Sequence, residues 1–132
     1  MGNLWNDFVG DEITKRIKAF LICPVRNTSD LENIAISRFV DDLSVAYDLY
    51  YPKRDTNQKD QTGLRICKDN RRAIKDADIV FVIWDGKSQG SLFDLGMAFA
   101  MNKPLQIVSI PKLIGSKSFQ DMMTAWEKKG CE

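Results

Sequence analysis

The segment Asp85-Gly86-Lys87-Ser88-Gln89-Gly90-Ser91 consists of small and polar residues and runs straight into an apolar helical pattern. At such a turn the backbone N–H groups approach a bound anion, and the positive end of the helix dipole favours negative charge. The chemistry this suits is the cradling of a nucleotide or sugar phosphate. An ordinary strand-to-helix turn, with its glycines at positive φ and Ser91 as cap, uses the same residues. Neither the GK[ST] of a phosphate loop nor the GxGxxG fingerprint is present. Asp94 follows in what the pattern makes the first helical turn, where the dipole keeps a carboxylate ionised. An ionised carboxylate at a pocket floor can attack an anomeric carbon. The same position suits an acid that only stabilises the helix start, and taken alone the residue favours that plainer role.

Other candidates flank it. Arg26, beside Asn27, Thr28 and Ser29, offers donors to a phosphate or carboxylate, or is a solvated loop arginine ahead of a helix cap. Lys53 and Arg54 have the same two readings. Tyr50 and Tyr51 either stack on a base or pack as half-buried strand residues. Arg65, Lys68, Arg71, Arg72 and Lys75 share a helix face without aromatic interleaving, so a solvated surface is expected and a nucleic-acid partner is not. There is no histidine, which excludes Ser-His-Asp and Cys-His catalysis and histidine metal sites. Cys23, Cys67 and Cys131 form no CxxC pair, so no disulfide framework, metal or redox cofactor is implied and a reducing, cytoplasmic compartment is expected. Cys23 and Cys67 read as core thiols, and Cys131 as an exposed one.

These residues must be held by a scaffold. The chain has 132 residues, 44% hydrophobic and 28% charged with a net charge of +1, which is the composition of one globular domain. Continuous apolar runs at 18–25 and 78–84 suit strands buried on both faces of a parallel sheet. Residues 48–52 and 104–110 supply two more strands, and a polar loop is expected from Lys53 to about Gln61. Helical spacing appears in Leu31 to Leu43, led by a Thr28-Ser29-Asp30 start, then in Leu64 to Ala77, Leu92 to Phe99, and Phe119 to Trp126. Alternating strands and helices predict an α/β, flavodoxin-like or Rossmann-like open parallel sheet with helices on both faces. Residues 1–16 read as an N-terminal extension and 17–132 as the domain. Acids near the start and the absence of a long apolar run argue against a signal peptide and a membrane span. In such sheets ligands sit beyond the C-terminal strand ends, at Pro24 to Thr28, Pro52 to Arg54 and Trp84 to Ser91.

The stretch Ala77-Asp78-Ile79-Val80-Phe81-Val82, with Gly90-Ser91-Leu92-Phe93-Asp94-Leu95-Gly96-Met97-Ala98 and the later Lys103-Pro104, resembles the nucleoside 2-deoxyribosyltransferase family. Ile22-Cys23-Pro24-Val25-Arg26 is similar to that family's first strand and loop. The resemblance covers about residues 18 to 110 and is most specific from Gly90 to Pro104. It implies a flavodoxin-like fold and a nucleoside or nucleotide substrate. It also implies a homo-oligomer in which a neighbour completes the site, and either base exchange on 2'-deoxyribose or hydrolysis of a nucleoside monophosphate. It places Asp94 where the family carries a nucleophilic Glu, one methylene longer. The family's second acid falls at Asn70, with Asp69 adjacent, and a third at Ser88, with Asp85 nearby.

On this resemblance Asp94 attacks C1' while Asp85 or Asp69 protonates or orients the departing base. Arg26, Ser88 and Ser91 hold the 5'-phosphate where the substrate bears one, and Pro24, Asn70, Gly86 and Gly90 complete the substrate site. The alternative is a nucleotide-binding module of the same fold that has lost the chemistry with its acids. A third reading makes Trp5, Phe8 and Val9 and the last helix an assembly surface.

Overall fold

A computed structural model describes residues 16–132. The elements are β1 (Lys18–Ile22), α1 (Asp30–Ala46), β2 (Asp48–Tyr50), α2 (Pro52–Asp55), α3 (Leu64–Asp76), β3 (Ile79–Ile83), α4 (Gln89–Ala100), β4 (Leu105–Ser109) and α5 (Phe119–Lys129). Trp5, Phe8 and Val9 lie outside the described residues, as does nearly all of the expected extension. Among the described residues no helix is long and apolar enough to cross a membrane.

The strands form one parallel sheet in the order β2-β1-β3-β4. Both apolar runs become central strands, and their alternate side chains feed two separate cores. Ala19, Leu21, Phe81 and Ile83 meet Ile36 and Val40 of α1 on one face. Phe20, Ile22, Val80 and Val82 meet Ile74 of α3, Leu95 and Ala98 of α4, and Met123 and Trp126 of α5 on the other. Burial on both faces is why neither run alternates in polarity. Strand order reverses between β1 and β3, and the helices that follow these two strands, α1 and α4, lie on opposite faces. A crevice therefore opens beyond their C-terminal ends.

The helix starts follow from local chemistry. Ser29 Oγ accepts from the Glu32 amide and Glu32 Oε1 accepts from the Ser29 amide, both at 3.1 Å, closing a reciprocal cap on α1. β1 stops at Ile22, short of the apolar run, because Pro24 has no N–H to give to a ladder. The expected loop after Pro52 contains a helical turn instead. Pro52 occupies its first position, where a missing N–H costs nothing, and Asp55 Oδ2 accepts from the Tyr51 amide at 2.8 Å. At the opposite edge, Lys103 Nζ donates to the Lys75 and Ala77 carbonyls at 2.8 and 2.7 Å, and Trp126 Nε1 donates to the Lys103 carbonyl at 3.0 Å. One lysine thus ties the end of α3 to the β4 approach and to α5.

Candidate active site

The crevice is a cavity of about 900 Å³. Its walls are the chain after β1, the α2–α3 connection, the start of α3 and the segment from Asp85 to Asp94. The helix after β3 begins one residue beyond Ser88, whose Oγ accepts from the Ser91 amide at 3.2 Å. Ser88, not Ser91, is therefore the cap. Asp85 Oδ1 accepts from the Lys87 and Ser88 amides at 2.9 and 2.8 Å, folding the loop back on itself. Gly86 makes that turn possible at φ +84°.

With Ser88 as cap, Asp94 stands in the second turn of α4 rather than the first, too far along for the dipole to hold it ionised. Burial dominates instead and raises its pKa from 3.8 to about 7, with the Asn70 side chain pulling it partly back. This reverses the electrostatic expectation for the residue and leaves it poised near neutrality. Cys23, at the cavity wall, has its thiol pushed up to about 12 by burial, then by the charge of Asp94, with Lys53 opposing. Burial, followed by the charges of Asp94 and Asp60, raises Cys67 as well. Cys131 is half-buried, not fully exposed.

Asp94, Asp85, Asn70, Arg26, Ser88, Gly90 and Ser91 all line this one cavity. Three expected site residues do not. Asp69 lines a separate groove of about 610 Å³ and lies 3.7 Å from Arg72, because its neighbour Asn70 takes the inward face of α3 and one residue turns a helix by about a quarter-circle. Pro24 is buried behind the cavity wall formed by Cys23 and Val25. Gly86 shapes the loop without lining the cavity. Tyr50 does not await a base: its ring stacks on Phe20 at 5.5 Å between centroids. Arg54 is consumed by Asp55 and the Leu49 carbonyl, at 2.8 and 2.7 Å. Arg65, Lys68, Arg71, Arg72 and Lys75 are all exposed.

Sequence reasoning missed the α2–α3 connection and the start of α3. Gln58, Thr62, Leu64 and Cys67 line the cavity, and Leu64 and Phe93 are 59% and 55% exposed at it. The polar loop carried no periodicity to mark it. Ser91, only 2% exposed, has a hydroxyl without a partner among the described residues, and it borders the same space. The arrangement can accept an anion at Arg26, Lys87 and the start of α4, and can present a carboxylate beneath it.

The fold is that of two solved enzymes. The 2-deoxyribosyltransferase of the psychrotolerant bacterium Bacillus psychrosaccharolyticus aligns with a TM-score of 0.57 at 22% identity, over 80% of this chain and 90% of that one. The CMP N-glycosidase of Clostridium botulinum aligns with a TM-score of 0.53 at 17% identity, over 80% and 77% of the two chains. No protein-family model and no curated protein sequence matches the chain. The fold expected from residues 77–105 is therefore met in three dimensions.

Proposed function

We propose that the protein cleaves or transfers at the N-glycosidic bond of a (2'-deoxy)nucleoside or nucleoside 5'-monophosphate, with Asp94 as the attacking carboxylate. The observation that carries this is the position of Asp94: a half-buried acid poised near neutrality, in a cavity at the strand-order reversal, on a fold shared with two enzymes named for such bonds. In the proposed step a carboxylate oxygen bonds to C1', the C1'–N bond breaks, and its electron pair leaves with the base, which takes up a proton. Water or a second base then attacks C1', freeing the carboxylate. Asp85 keeps the proton-handling role, because it lines the cavity with Oδ1 alone engaged in the turn. Asp69 drops out. Arg26, Lys87 and the start of α4 support a 5'-phosphate on the substrate. The apolar exposure of Leu64 and Phe93 supports a second copy closing the cavity, as a homo-oligomer would.

The test is base release from a panel of nucleosides and 5'-monophosphates, with and without an acceptor base, read by chromatography for wild type and Asp94→Ala. Release from monophosphates alone supports hydrolysis, and exchange that needs an acceptor supports transfer. Equal turnover by the variant removes Asp94 from its role. The second reading is a binding module. It is favoured by one feature, an amide and a capping hydroxyl at Asn70 and Ser88 where acids were expected, and ligand-induced thermal stabilisation without any product would establish it.

A further inference from the structure

Asn70 is 6% exposed and Thr56, across from it, 4%. Thr56 Oγ1 donates to Asn70 Oδ1 at 2.8 Å, and Tyr50 Oη lies 2.6 Å from the same Thr56 oxygen. A threonine hydroxyl has a single proton, so once it is given to Asn70 the tyrosine must be the donor in the second bond. With Oδ1 occupied, the NH2 of Asn70 is the group left to meet Asp94. The chain of donors runs one way, from Tyr50 to Thr56 to Asn70, and leaves the amide NH2 for the cavity that Asn70 and Asp94 both line. Its far end is anchored, since the Tyr50 ring is stacked on Phe20, which is wholly buried in the sheet.

We propose that Thr56 and Tyr50 are positioning residues, which fix the Asn70 amide with its NH2 toward Asp94 and so aim the Asp94 carboxylate into the cavity. An amide is nearly symmetric in shape, and only its hydrogen-bond partners decide which end faces the acid. A reversed amide would offer Asp94 an acceptor, which suits the protonated, non-nucleophilic form. Aim matters here because an Asp side chain is short, and misplacement of a reacting atom by on the order of 1 Å costs roughly a hundredfold in rate. Other titratable groups facing Asp94 are Cys23 from the end of β1 and Cys67 from α3, with Lys53 and Asp60 acting on those thiols. Arg26, Asp85 and Lys87 line the same cavity. None of these is altered by a change at Thr56. The kinetic consequence rests on the proposed role of Asp94, whereas its titration does not.

The test compares Thr56→Val, which keeps the shape and loses the hydroxyl, with Thr56→Ser, which keeps the hydroxyl, and with Tyr50→Phe. The first readout is the 13C titration of the Asp94 carboxyl in aspartate-labelled protein, identified by its loss in Asp94→Asn. Thr56→Val should raise the Asp94 pKa by at least about half a unit and lower kcat about tenfold with KM within about twofold. Thr56→Ser should restore both, and Tyr50→Phe should shift both in the same direction by less. An Asp94 titration unchanged in folded Thr56→Val overturns the proposal, and so does failure of Thr56→Ser to restore it. A shifted titration in a protein that releases no base upholds the positioning and overturns the enzymatic reading instead.

Discussion

Asp94 and the amide of Asn70 line one cavity, and the amide lowers the Asp94 pKa that burial raises. Activity that needs the ionised acid should therefore climb as pH rises through about 7. Asn70→Asp would set two carboxylates together, so one must hold a proton, and the acid limb of kcat/KM should move up by roughly one to two units. A pH profile of base release checks this; an unmoved limb would mean that residue 70 does not govern Asp94.

The same burial sets a stability cost. The folded pKa of Asp94 lies above its ordinary value, so the folded state keeps a proton that the unfolded chain releases between 3.8 and about 7. The contribution to stability is full below that window and is lost as pH rises through it. Asp94→Asn should match wild type near pH 4 and exceed it near pH 8 by up to about 4 kcal/mol, while releasing no base. Denaturant melts at the two pH values decide it, and a variant less stable at both would refute it.

Gly90 sits in the first turn of α4 and borders the cavity, and a Cβ there would meet no protein atom within 4 Å. Gly90→Ala should therefore raise stability by about 0.5–1 kcal/mol through helix propensity. If the substrate's anion approaches this backbone, KM should rise as well. Opposite effects on melting temperature and substrate affinity are the expected pair, and unchanged KM would place the ligand elsewhere.

Lys103 supplies protons to the carbonyls of Lys75 and Ala77 at 2.8 and 2.7 Å. Lys103→Met keeps most of the stem and removes the charged donor, and the loss should cost about 1–3 kcal/mol. The site lies at the far end of the sheet, so KM should be unchanged. A shifted denaturant midpoint with an unaltered KM is the expected result.

Two unbroken apolar runs, the helical spacings between and after them and the Thr28-Ser29-Asp30 helix start pointed to a parallel α/β sheet, because strand burial on both faces and capping are written in contiguous residues. The small-residue turn from Asp85 to Ser91 and the acid at Asp94 were legible for the same reason, being joined through one strand, turn and helix. What a linear reading could not decide was which residues face one another. One step around α3 separates Asn70, in the cavity, from Asp69, in another groove, and the count along the chain fell on Asn70 with the acid Asp69 beside it. Nor could it find that Ser88 caps α4, which moves Asp94 into the second turn and hands its titration from the dipole to burial. The link from Tyr50 through Thr56 to Asn70 joins β2, the end of α2 and α3, and exists only once the sheet has packed them together. Propensity and capping act over a few neighbouring residues, whereas burial, pKa and hydrogen-bond direction depend on groups far apart in sequence, and those tertiary terms decide how the candidate acid Asp94 titrates.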